Sequence, residues 1–124
     1  MVGCRHGAKN TLDKNYLYLA ERQGAEVRAE TQVVDVRPAG AADGADGYVV
    51  TTVPSFARLF RTRSTVTARH VVFAASSLGT QELLFALKDT GSLPHVSDDL
   101  GKRVRTNAES ILGVRYPGTQ QDLS

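Results

Sequence analysis

His70-Val71-Val72-Phe73-Ala74-Ala75-Ser76-Ser77-Leu78-Gly79-Thr80-Gln81-Glu82-Leu83-Leu84 is the stretch whose reading decides the fold class. From His70 to Ala75 the run is apolar almost without a break, the pattern of a strand covered on both faces. Small residues follow, and a helix is expected from about Thr80 to Lys88 with Leu83, Leu84 and Leu87 as its apolar stripe. Thr90-Gly91 ends it, and Pro94 lies past the break. A tight strand-to-helix turn gathers backbone N–H groups and the positive end of a helix at one point. A phosphate or pyrophosphate can sit there if the side chains are small. Ala74, Ala75, Ser76, Ser77 and Gly79 meet that size condition. Any tight turn of this kind prefers small residues, so an ordinary core turn stands beside the phosphate-binding reading.

Upstream, residues 1–10 read as loop, and Thr11 is a candidate N-cap for a helix from about Leu12 to Gln23. Leu12, Tyr16, Leu19 and Ala20 form one apolar stripe, and Gly24 is the expected stop. Ala25 to Ala29 alternates apolar and polar, which predicts a half-buried strand. Thr31 to Arg37 is β-branched and predicts a second strand or its continuation, closed by Pro38-Ala39-Gly40. Asp43-Gly44 and Asp46-Gly47 mark a turn, Tyr48 to Val53 the next strand, and Ser64 to Ala68 another. Ile111 to Tyr116 reads as a possible last strand. The order is helix, strands, buried strand, helix: an α/β chain with an antiparallel meander placed before a core strand.

The chain has 124 residues, enough for one domain with a modest core. A net charge of +2 is too mild to argue for nucleic acid or an anionic membrane as the main partner. Arg58, Arg61, Arg63 and Arg69, interleaved with Phe56 and Phe60, form a small basic patch that reads as a solvated hairpin tip rather than a nucleic-acid surface. The single cysteine, Cys4, excludes an internal disulfide and a multi-cysteine zinc site. His6, His70 and His95 lack metal-ligand spacing, so no metal is expected. No G-x-G-x-x-G, P-loop or G-x-S-x-G pattern is present. No apolar run approaches the roughly 20 residues of a membrane span. The start has no apolar h-region, which reads as a cytoplasmic chain or a piece whose original N-terminus lies elsewhere.

Several stretches together carry a resemblance. Gly7-Ala8-Lys9-Asn10-Thr11-Leu12-Asp13-Lys14-Asn15-Tyr16-Leu17 comes first, then Gln32-Val33-Val34-Asp35-Val36. Val72 to Leu84 follows, continuing through Asp89-Thr90-Gly91-Ser92-Leu93-Pro94 and Leu100-Gly101 to Thr106-Asn107. In order and spacing they resemble the glucose-methanol-choline (GMC) family of FAD-dependent oxidoreductases, most closely its cholesterol oxidase-like branch. The resemblance runs from about residue 3 to 115.

It implies a single partial domain: the middle of an FAD-binding, Rossmann-like domain with its β-meander. The family's N-terminal Gly-rich βαβ unit and its C-terminal catalytic segment have no counterpart in these residues. It implies FAD as cofactor and an alcohol or sterol as substrate, oxidised by hydride transfer to the flavin. Val33 matches the strand position that meets the adenine through its backbone. Ala74, Ala75, Ser76, Ser77 and Gly79 match the small-residue turn beside the ADP half. Ser76 stands where the family usually has Gly, a position where backbone freedom or close approach is expected. Asn107 matches an Asn in a loop toward the active site. Arg103, Arg105 and Glu109 around it replace the family's usual Gly and Asn, which leaves the substrate open. No catalytic residue falls within the chain, so no turnover is expected from it alone. The alternative reading is a non-catalytic nucleotide-binding or structural module. With nothing to cover the His70–Ala75 run, exposed sheet edge and apolar surface, and hence self-association, are expected.

Overall fold

The computed structural model describes residues 6–56, 62–110 and 112–113. The chain divides into two compact units, Met1–Arg28 with Ala108–Ser124, and Ala29–Asn107. Cys4, Phe60, Arg58, Arg61 and most of the expected strand over 111–116 lie outside the described residues.

In the first unit the single helix expected from Leu12 to Gln23 is two pieces: a 3₁₀ turn, Leu12–Lys14, and helix α1, Tyr16–Arg22. The break is at Asn15, whose side chain accepts from the Tyr16 N–H and caps α1. Asn competes with the helical backbone in this way, which favours it at caps and disfavours it inside helices. The expected cap, Thr11, makes no side-chain capping bond. Leu12, Tyr16 and Leu19 of the apolar stripe are all more than half exposed. Ala25 to Ala29 is not a strand. There the alternation places Glu26 and Arg28 two apart, and they pair with each other at 2.8 Å. The pairing lowers the Glu26 carboxyl below the ordinary glutamate range, through the hydrogen bond first and the charge second.

Among its described residues the second unit is a three-stranded antiparallel sheet and one helix. Strands β1 (Thr31–Pro38), β2 (Tyr48–Pro54) and β3 (Ser64–Ala68) lie in that order, as the β-branched runs predict. The β1–β2 turn is built by its own residues: the Asp43 carboxylate accepts from the Ala45 N–H at 3.0 Å, and Gly44 and Gly47 take positive φ. The register slips between Val33 and Asp35, leaving Val34 as the extra residue of a β-bulge. β2, in the middle, buries Thr51, Thr52 and Val53.

Helix α2 spans Ser76–Asp89, starting four residues before the expected Thr80. Its apolar stripe is as expected: Leu87 is fully buried, Leu83 and Leu84 half-buried. α2 lies against β1, and the large fully buried side chains among the described residues, Leu87 and Val36, come from these two elements. The end of α2 is held to the following loop by Lys88, which donates to Asp98 at 2.6 Å and to the Ser97 carbonyl. That hydrogen bond lowers the Asp98 carboxyl below the usual aspartate range.

The main correction concerns His70–Ala75. The run belongs to no strand, and Val72 is 87% exposed. A strand needs a neighbour to complete its ladder. Among the described residues β3 ends at Ala68, opposite Tyr48, and no strand pairs beyond it. The apolar pattern registers a demand for cover on two faces, which these residues do not themselves meet.

Candidate functional site

The β1 bulge, residues 71–75 and α2 line one cleft of about 750 Å³ within the second unit. That volume is in the range of small-ligand sites. One wall is the start of β1, where Val33 and Val34 both contribute because the bulge sets two residues opposite Thr52. The floor includes Val71, Phe73, Ala74 and Ala75. The opposite wall is one helical face of α2, Gly79, Glu82, Leu83 and Ala86, spaced at three, four and seven residues. β1 is an edge strand, so one row of its backbone N–H and C=O groups lies outside the ladder.

Of the residues singled out in the sequence, Val33, Ala74, Ala75 and Gly79 therefore meet at one place, although about forty positions separate the strand from the turn. Ser76 and Ser77 do not line the cleft; they are exposed in the first turn of α2. Asn107 is exposed and also lies outside it. Ser76 adopts φ +62°, the left-handed region that glycine favours. The Ala75 N–H donates to the Thr80 hydroxyl at 3.0 Å, which ties the turn to the helix behind it.

Gly79 is informative in a different way. It has no positive φ, and a methyl group built on it meets only the Ala75 side chain at 3.4 Å and the Ser76 hydroxyl at 4.0 Å. The fold does not require glycine here, so the open space in front of it is available to whatever enters the cleft. Glu82 is the charged residue that the sequence reading passed over. It brings the one carboxylate among the described lining residues and has no hydrogen bond or ion pair within them. Its spacing of three from Gly79 on a helix was the signal that could have found it.

Comparison with known proteins covers the chain from end to end. It is 64% identical over its whole length to a cholesterol oxidase of Acinetobacter baumannii. It is 48% identical over 99% of its length to cholesterol oxidases of two Mycobacterium tuberculosis strains, CDC 1551 / Oshkosh and H37Rv. By sequence, the chain is similar along its length to one part of proteins named cholesterol oxidase. It spans 22% of the Acinetobacter relative and 21% of the mycobacterial ones, about a fifth of the length of each. No family model matches it, and no solved structure matches it. The chain holds, among its described residues, no group of three or more His, Cys, Asp or Glu placed to bind a metal ion. None of its described helices is long and apolar enough to cross a membrane.

Proposed function

We propose that this chain is part of a FAD-dependent GMC oxidoreductase acting on the CH–OH group of an alcohol or sterol, and that its share of the work is to hold the adenine-nucleotide half of the cofactor. Both units are read as pieces of one partial, Rossmann-like FAD-binding domain. The observation that carries this is the meeting of Val33 with Ala74, Ala75 and Gly79 in one largely apolar cleft.

The residues fit the group. The free edge of β1 offers the N–H and C=O pair that a planar heterocycle's edge needs, and Val33 and Val34 offer apolar cover for its face. The first turn of α2, with its N–H groups unused by the helix, favours the pyrophosphate charge. Ala75 and Gly79 leave room for it. When bound, FAD supplies the acceptor for the hydride leaving the alcohol carbon. The base that takes the hydroxyl proton comes from outside these residues in this reading. Asn107 is assigned to a loop near the substrate by resemblance alone.

The test is thermal unfolding of the purified chain, followed by circular dichroism, with and without excess FAD or ADP. A ligand that binds only the native state raises the midpoint. Val33→Glu places a carboxylate against the adenine wall and is expected to abolish the ligand-induced rise. Gly79→Ala is expected to do two opposite things. Without ligand it stabilises α2 by up to about 1 kcal/mol, because alanine costs less backbone entropy than glycine. With ligand it reduces the rise, because the methyl occupies the approach. A wild-type midpoint indifferent to both nucleotides overturns the reading.

A further inference from the structure

We propose that Asp43, at the tip of the β1–β2 connection, is a site of spontaneous modification to isoaspartate, and that the fold withholds the same reaction from Asp46. Both residues precede a glycine, so one chain carries the same dipeptide in two settings. The reaction is a ring closure followed by hydrolysis. The Gly44 nitrogen attacks the side-chain carboxyl carbon of Asp43 and a C–N bond forms. The carboxyl hydroxyl leaves as water, taking the amide proton, and a five-membered succinimide results. Water then adds back. When it opens the ring at the main-chain carbonyl, the chain runs on through the side-chain carbon and is one methylene longer. Nothing is oxidised or reduced, and water is the only co-reactant. Glycine favours the step because no Cβ crowds the attacking nitrogen or hinders the rotation that brings it to the carboxyl.

The two settings differ in what must give way. Asp43 Oδ1 accepts from the Ala45 N–H at 3.0 Å. That bond closes a ring of atoms that includes the Gly44 nitrogen, so carboxyl carbon and nucleophile are held on the same side. It also draws electron density from the carbon under attack. The Gly44 N–H is tied by a turn bond to the Ala41 carbonyl at 3.0 Å, and Ala41 is itself exposed. The group closest to where a Gly44 side chain would begin is the Tyr48 hydroxyl, the far end of a side chain that can swing away. Asp46 is equally exposed, but Gly47 is buried. The Gly47 carbonyl accepts from the Ala39 N–H at 2.9 Å and its N–H donates to the Gly44 carbonyl at 3.0 Å. What crowds it is the Ala68 carbonyl oxygen, a backbone atom held by the β2–β3 ladder. The Asp46 carboxylate is turned back to the Ala41 N–H at 3.2 Å. Swinging the Gly47 nitrogen onto Asp46 therefore requires opening the end of the sheet, whereas Asp43 needs only the opening of one exposed turn. Local openings of these two kinds differ widely in free energy.

The experiment is prolonged incubation of the whole chain, folded in mildly acidic buffer and, in parallel, unfolded in guanidinium chloride. Samples are then digested with a protease that cuts before aspartate and not before isoaspartate, and the uncut junctions at 43 and 46 are counted by mass spectrometry. In the folded chain Asp43 is expected to convert about tenfold or more faster than Asp46, equivalent to about 1.4 kcal/mol or more of extra opening cost at Gly47. In the unfolded chain the two should convert at similar rates. Asp43→Glu lengthens the side chain so that closure would need a six-membered ring. It is expected to abolish conversion at position 43 and leave the slow conversion at Asp46 unchanged. Equal rates in the folded chain would overturn the proposal, as would faster conversion at Asp46. So would a folded chain in which neither site converts while both do when unfolded. The same Asp43 excess in the unfolded chain would assign the difference to local sequence and not to the fold, and would overturn it too.

Discussion

Gly47→Ala should destabilise the unit of residues 29–107 by about 3 kcal/mol, moving its thermal midpoint down by roughly 15 °C for a unit of this size. Two costs add. Gly47 closes the β1–β2 turn with φ +85°, and an L-residue there pays about 1–2 kcal/mol for the left-handed conformation. The second cost is steric. A methyl group on Gly47 would lie 2.7 Å from the Ala68 carbonyl oxygen, a backbone atom of the neighbouring strand. Ala68 is held opposite Tyr48 by the β2–β3 ladder, so relief requires parting the two strands at that end. Gly91→Ala separates the two contributions. Gly91 also has positive φ, +72°, but a methyl group there meets nothing within 4 Å. It should cost only about 1 kcal/mol, the backbone part. Equal midpoints for the two variants would show that the strands yield freely and that the close contact carries no energy.

Leu87→Ala is the second large effect. Among the described residues the fully buried large side chains are Leu87 on α2 and Val36 on β1, and Val53 adds a third buried hydrophobic from β2. Truncating a buried leucine costs about 2.7–5 kcal/mol, the upper end where the cavity cannot collapse. Here α2 is held to β1 largely through this one side chain, so the helix can shift and close part of the void. That places the expected loss near 3 kcal/mol, a large share of the stability of so small a unit. Leu83→Ala, half-buried at the edge of the cleft, should cost less than half as much. Because α2 carries one wall of the cleft, Leu87→Ala should also reduce any nucleotide-dependent rise in the midpoint. A variant that melts as the wild type does would mean that α2 is not fastened through Leu87.

The meander was legible because its information is local. Thr31 to Arg37, Tyr48 to Val53 and Ser64 to Ala68 are β-branched runs, the first two separated by the Asp43-Gly44 and Asp46-Gly47 turn, and each became the strand its composition predicts. Leu83, Leu84 and Leu87 stated the buried face of α2 in the same local way. The start of α2 was not legible. The expected boundary at Thr80 came from reading Ser76 to Gly79 as turn residues, but those residues form the helix's first turn, entered through the left-handed backbone of Ser76. Asn15 broke the first helix through a capping bond that competes with the periodic pattern around it.

What the sequence determined by itself is the kind of chain this is: its strands, its one buried helix face, and a motif order shared with the cholesterol oxidases. Its apolar demand was also on the page, most of all in His70 to Ala75. Whether a demand is met depends on which segments are brought alongside, and that is a property of the tertiary structure. The structure left His70 to Ala75 without a ladder partner among the described residues. It also brought Val33 to the turn at Ala74 and Ala75, and set Glu82 on the wall opposite Val33. Strand formation follows from short-range sterics and side-chain pattern, whereas the convergence of distant residues follows from how the sheet and helix bury Val36 and Leu87 together.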